Sequence, residues 1–327
     1  MRLPLSPMSF LSLTPRDNEI LRIAVPSIVS NITVPLLGLM DVAITGHLGG
    51  AAFVGAIAVG GMLFNIIYWL FAFLRMGTSG MTAQAYGAND MGEVRSLLRR
   101  NVGVALIIST LLLFLQIPIR NLALYLISPS DDVISLTCTY YNICVWGAPA
   151  ALLLLVLNGW YIGMQNSRMP MLIAIIQNVA NIIFSRVFVY CFGMKIEGVA
   201  LGTVLAQYVV LVPFLTFPMK GLRDGKDLSP LAIICRAKGR GIQNRVSLFP
   251  FKGRAEVDGV LFLRTLCLIF VHFYFIAAGA QFGDTALAVN ALLMQMFLLY
   301  SYIMDGFAFA GEALVGKAFG AKDRILM

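Results

Sequence analysis

Two stretches, GTSGMTAQAYGAND (77–90) and AGEALVGKAFGAKD (310–323), lie 233 residues apart and share small residues and a closing G-A-x-D. The same offset pairs Gly46 with Gly279 and Gly50 with Gly283. Each stretch follows or ends a long apolar run, so a two-span unit occurs twice, in the same order and direction. A parallel repeat of membrane spans is a transporter architecture, its halves related by an axis along the membrane normal.

Composition supports the same reading. The chain is 59% hydrophobic and 12% charged, with a mean hydropathy of +0.84, whereas soluble domains are about a quarter charged. Runs of about 20 apolar residues cross a bilayer. Eight are present, at roughly 20–46, 53–79, 97–119, 134–160, 169–192, 197–218, 258–281 and 286–316. They lack the alternation of barrel strands, so the expected fold class is all-α, a polytopic membrane helix bundle. A second half as long as the first would reach about residue 451. The expectation is two six-helix lobes as parallel repeats, with the second incomplete. The expected segments are a cytoplasmic N-terminus (1–19), an N-lobe of six transmembrane helices (20–218), a basic cytoplasmic loop (219–256) and a partial C-lobe of two helices (257–327). On this reading the chain is a fragment or a truncated transporter, and a nonfunctional fragment is one alternative.

The net charge of +8 does not point to nucleic acid, because the Lys and Arg lie in short loops between apolar runs. Segment 219–256 holds nine Lys or Arg against three acids, while 46–52 holds none. That asymmetry places both termini in the cytoplasm. The five cysteines are scattered, with no CxxC or Cys/His spacing for a metal or a disulfide frame. No P-loop, HExxH or GxSxG is present, so an enzyme is not expected. Transport without a nucleotide site requires an ion gradient and no cofactor.

Few polar groups interrupt the spans. Asp41 follows 18 uncharged residues, Ile23 to Met40. Reading back at helical spacing, Gly38, Val34, Asn31, Ser30 and Ser27 share its face. Asp41 lies 19 residues beyond Arg22, roughly 28 Å along a helix, in the outer half of the bilayer. It is either a protonatable or cation-binding group in an outward-facing cavity, or a wetted helix end. Pro26 and Pro35 interrupt the same span, as kinks or as packing residues. Asn178, Asn181 and Ser185 form one polar stripe in span five, which either glues helices together or lines a cavity. Asp305 and Glu312 share a face of span eight, a stronger signal than a lone acid. Arg75 and Arg186 read as snorkelling side chains, and His272 as a packing residue.

These segments taken together resemble the multidrug and toxic compound extrusion (MATE) transporters, most closely their DinF subgroup. The resemblance rests on AVPSIVSNITVPLLGLMDVAITGHLG (24–49), GTSGMTAQAYGAND (77–90), LNGWYIGMQNSRMPM (157–171), NVANIIFS (178–185) and MDGFAFAGEALVGKAFGAKD (304–323). It covers about 20–218 and 258–323. It implies a bacterial inner-membrane antiporter that exports amphipathic or cationic small molecules in exchange for protons or sodium. It also implies a coupling carboxylate at Asp41, a motif asparagine at Asn181 and bending of the first helix at Pro26. Ser185 stands where many members carry a second Asp, so Asp41 would act alone in this lobe with Asn178 and Asn181 beside it. Span seven lacks the acid of some sodium-coupled members, which leaves Asp305 and Glu312 as C-lobe cavity acids and favours protons. A lipid-linked sugar flippase of the same superfamily is the alternative within transport.

Overall fold

Apolar runs with no water to satisfy their backbone must form helices, and the computed structural model is helical. It describes residues 15–46, 51–127, 131–224, 259–271, 274 and 284–322, with no strand among them. In chain order the helices are α1 (Pro15–Gly46), α2 (Ala51–Leu70), α3 (Phe73–Gly87), α4 (Met91–Phe114), α5 (Gln116–Ile127) and α6 (Asp131–Cys144). A 3-10 turn (Val145–Gly147) leads into α7 (Ala148–Gly163), followed by α8 (Arg168–Arg186) and α9 (Ile196–Asp224). The chain continues with α10 (Gly259–Val271) and α11 (Asp284–Ala321). Among the described residues, six stretches are long and apolar enough to cross a membrane: 52–87, 91–114, 133–163, 168–191, 196–216 and 296–321. Most of the basic loop 219–256, together with His272, Gly279 and Gly283, lies outside the described residues.

Expected spans two to six and span eight overlap these six stretches, span one lies within α1, and span seven is described only over 259–271 and at 274. Span two is two helices, α2 and α3, joined by a turn at Phe71 and Ala72. Span four tightens at residues 145–147. Pro149 has no N–H to offer the carbonyl of Val145, which accepts from the N–H of Ala148 instead. Pro26 and Pro35 both lie inside the continuous helix α1. Pro26 deprives the Arg22 carbonyl of its helical donor, and the Ser167 hydroxyl donates to that oxygen at 3.2 Å.

Helices α1–α9 pack as one bundle. Its largest core lies among α3, α4, α7 and α9, with Leu98, Leu152, Val156, Leu157 and Trp160 at its centre. The Trp160 Nε1 donates to the Val94 carbonyl at 3.0 Å, so its polar tip is satisfied inside the core. A second core joins α2, α6 and α9 around Tyr141, which stacks on Phe64 with centroids 5.1 Å apart. Glycines allow close helix approach. A Cβ on Gly159 would stand 3.2 Å from the Cα of Arg75, and one on Gly163 would stand 2.7 Å from the Cβ of Thr82. The two glycines of GWYIG therefore seat α7 against α3.

Helix α11 packs against α1, α3 and α7. A small third core holds this contact together, formed by Ile23, Ala24, Ile162, Phe309, Ala310 and Ala313. Phe73 of α3 meets Phe262 of α10 edge-on, with centroids 6.0 Å apart.

Candidate functional site

The repeat found in the sequence is also a contact in space. A Cβ on Gly87 would collide with the Lys317 carbonyl oxygen and lie 2.8 Å from the Lys317 Cα. A Cβ on Gly320 would collide with the Gln84 carbonyl oxygen and lie 2.9 Å from the Gln84 Cα. Gly87 and Gly320 are repeat equivalents, and so are Gln84 and Lys317. A Cβ on Gly316 would stand 2.7 Å from the Cβ of Ala83, its own equivalent. Residue i touches j while the equivalent of j touches the equivalent of i. That is the signature of a two-fold contact, with the local axis passing beside Ala83 and Gly316.

Local chemistry explains the motif. In G-A-x-D the glycine permits the close approach, and the x position turns the chain. Asn89 and Lys322 both adopt the left-handed conformation, with φ of 57° and 56°. The N–H of Asn89 donates to Tyr86 at 3.0 Å, and that of Lys322 donates to Phe319 at 3.1 Å. In the first copy Asp90 then caps α4, accepting from the Glu93 N–H at 2.9 Å. The α7–α8 turn closes over the same end. Gln165 is also left-handed (φ 61°), and its Oε1 accepts from the Lys317 Nζ at 3.1 Å.

Behind this seam lie the charged groups. Arg75, expected to snorkel, instead faces α11. Its guanidinium lies over the ring of Phe309, 3.9 Å from the centroid. Its Nη1 is shut off from solvent and has no hydrogen-bond partner. Glu312 and Asp305 both act on it electrostatically. The Glu312 Oε1 lies against Gly80, 3.6 Å from where a Cβ would stand. Asp305 is exposed and is also influenced by Arg264 of α10. The two acids expected to share a face therefore do so, and Arg75 is the functional candidate that sequence reasoning passed over. The only sequence signal was a charge within an apolar run, which also fits a helix end.

The α8 stripe is divided between two neighbours. The Asn178 Nδ2 donates to the Thr33 carbonyl of α1 at 3.0 Å. The Asn181 Nδ2 donates to the Thr203 Oγ1 of α9 at 2.8 Å, while its Oδ1 is buried without a partner. Ser185 is fully buried beneath Gly202, whose added Cβ would lie 2.7 Å from the Ser185 nitrogen. Asp41 lies in α1, and its side chain is outside the described ones. Ten residues before Asp41 in α1, the Asn31 Nδ2 donates to the Tyr302 carbonyl of α11 at 3.2 Å. Among the described residues, no group of three or more His, Cys, Asp or Glu is placed to hold a metal ion.

A family model described as MatE matches residues 26–187. The chain is 36% identical over 320 residues to DNA damage-inducible protein F of Escherichia coli (strain K12), covering 97% of this chain and 66% of that protein. It is 25% identical over 310 residues to a probable multidrug resistance protein NorM of Bradyrhizobium diazoefficiens, covering 93% and 64%. A solved structure described as the outward-facing conformation of a multidrug resistance MATE family transporter of the MOP superfamily superposes with a TM-score of 0.77. The sequence identity to it is 20%, and the match covers 93% of this chain and 65% of that one. The chain thus spans 66% of the first of these relatives and 64% of the second.

Proposed function

From the premise that this chain belongs to the MatE family, we propose that it works as part of a secondary antiporter. The antiporter exports amphipathic or cationic small molecules from a bacterial cell in exchange for protons. It needs no organic cofactor, because the ion gradient drives it. Residues 20–218 form the N-lobe, the chain from 257 onward begins the C-lobe, and the basic segment 219–256 joins them on the cytoplasmic side of the inner membrane.

The observation that carries the reading is the reciprocal contact of Gly87 with Lys317 and Gly320 with Gln84. Two pseudo-equivalent helix ends that meet face to face form a seam between halves, and rocking such halves alternates access to a site between them. The excess of Lys and Arg in 219–256 assigns this end to the cytoplasm. A seam closed there leaves the opposite end open to the outside. Asp41, 19 residues beyond Arg22 along α1, belongs to that outer cavity as the proton-coupling carboxylate. Asn178 supports it from α8 by anchoring the Thr33 carbonyl of the same helix. Asn181 and Ser185 hold α8 to α9 behind it. Asp305 and Glu312 are the acids on the C-lobe side, and Pro26 is the point at which α1 bends.

The test is efflux by the full-length transporter in inverted membrane vesicles, driven by an imposed proton or sodium gradient. Asp41→Asn is expected to lower the proton-driven rate at least tenfold, as loss of a required proton carrier does. An unchanged rate removes Asp41 from the coupling role, and efflux driven only by sodium replaces the proton with that ion.

A further inference from the structure

Arg75 is a charge inside the bundle without a direct ionic partner. Among the described residues, Arg75 forms no ion pair within 4 Å of an acid, unlike Arg100, which pairs with Glu93 at 3.6 Å on α4. A buried unpaired charge is costly, so Arg75 requires a reason to stay where it is. Its backbone is fixed, because Gly159 brings α7 up against the Arg75 carbonyl and Cα. Its guanidinium is fixed too, resting on Phe309 of the opposite half. A cation over an aromatic face is favourable, more so when desolvated. One turn on either side of Phe309, on the same face of α11, stand Asp305 and Glu312. The charged groups facing Arg75 are therefore these two acids of α11, with Arg264 of α10 beside Asp305. Tyr161 of the adjacent α7 is already engaged with the Phe214 carbonyl at 3.4 Å.

We propose that Arg75 is a cross-seam counter-charge: held on Phe309, it draws Glu312, and secondarily Asp305, toward α3 and so fastens the α3–α11 seam. The proposal rests on the transporter reading for its purpose, but its evidence is the placement of Arg75, Phe309, Gly80 and Glu312. Glu312 fits the role because Gly80 opposite it has no side chain to exclude its carboxylate. Neutralising Glu312, by a proton or by substitution, removes the attraction and leaves Arg75 uncompensated. Arg75 is thus a positioning residue for closure and not a group that touches cargo.

The test reads closure directly. Ala88 and Ala321 are repeat equivalents at the exposed ends of α3 and α11. Spin labels on Ala88→Cys and Ala321→Cys, with the other cysteines replaced, report the closed and open populations of the full-length transporter by pulsed dipolar spectroscopy. No substrate or ion gradient is present, so failure of the antiporter reading does not move the result. Arg75→Gln is expected to lower the closed-to-open ratio about fivefold or more, the scale of a coupling between two elements. Arg75→Lys keeps most of the closed population. Glu312→Gln lowers it like Arg75→Gln, and the double variant is no worse than either single one, because both remove the same interaction. Additive effects, or an Arg75→Gln distance distribution identical to that of the unmodified protein, would overturn the proposal. If Glu312→Gln fails to accumulate in the membrane, adding Arg75→Gln should restore it, since the stranded charge is then gone. Failure of that rescue also overturns it.

Discussion

The α8–α9 interface and the α3–α11 seam are both narrow helix contacts lined by glycine, and each leaves a buried polar atom unpaired, the Asn181 Oδ1 in one and the Arg75 Nη1 in the other. Between α8 and α9, Asn181 donates to Thr203 at 2.8 Å, and Ser185 is covered by Gly202. The contact joins helices adjacent in sequence. Across the α3–α11 seam, Arg75 rests on Phe309 with Nη1 unbonded, and its acids stand at a distance. The first contact relies on a short bond between two polar side chains, the second on a cation over an aromatic ring with two acids acting on it.

The comparison breaks most clearly at the seam glycines. Gly320→Val and Gly87→Val each place a side chain against the opposing backbone, and neither the Gln84 nor the Lys317 carbonyl can give way without moving its helix. Each is expected to reduce efflux by the full-length transporter at least tenfold and to shift the Ala88–Ala321 spin-label distances to the open population. The two variants should be equally damaging, because the contact is reciprocal. A large effect from one and none from the other would break the two-fold description.

Between α8 and α9 the same kind of change should act on stability alone. Gly202→Val overfills the space beneath Ser185 and is expected to cost about 1–3 kcal/mol. That cost should appear as a lower midpoint of thermal unfolding in detergent, with the spin-label distances unchanged. Asn181→Ala removes the bond to Thr203, and such interhelical bonds average about 0.6 kcal/mol in membrane proteins. Measured as a double-mutant cycle with Thr203→Val, the coupling should be of that size. A coupling near zero would mean that the buried Asn181 finds another donor or acceptor. An effect of similar size is expected at Asp90→Ala. It removes the α4 cap at the edge of the seam, a change worth about 0.5–1 kcal/mol, and should lower the unfolding midpoint slightly without altering efflux.

Much of this was legible along the chain. Helices form where apolar runs form, because unsatisfied backbone cannot face lipid. Their breaks before Pro149 and at the Phe71–Ala72 turn were not legible, since spans two and four read as continuous apolar runs. The repeat was legible because its G-A-x-D motif records a local requirement, a left-handed residue at Asn89 and Lys322 and a glycine before it. The shared face of Asp305 and Glu312 followed from helical periodicity. The division of the α8 stripe did not, since Asn178 and Asn181 are only three residues apart and the choice between α1 and α9 depends on which helix lies alongside. Nor did the donor to the Arg22 carbonyl freed by Pro26, which is Ser167 from the α7–α8 turn.

The sequence by itself determined the all-helical fold class and the 233-residue offset, because hydropathy and helical period are set by near neighbours. Only the tertiary structure decided that the two copies touch each other and that Arg75 faces inward. Whether a charge reaches water or a partner depends on residues more than two hundred positions away, and nothing in its own helix encodes what stands opposite.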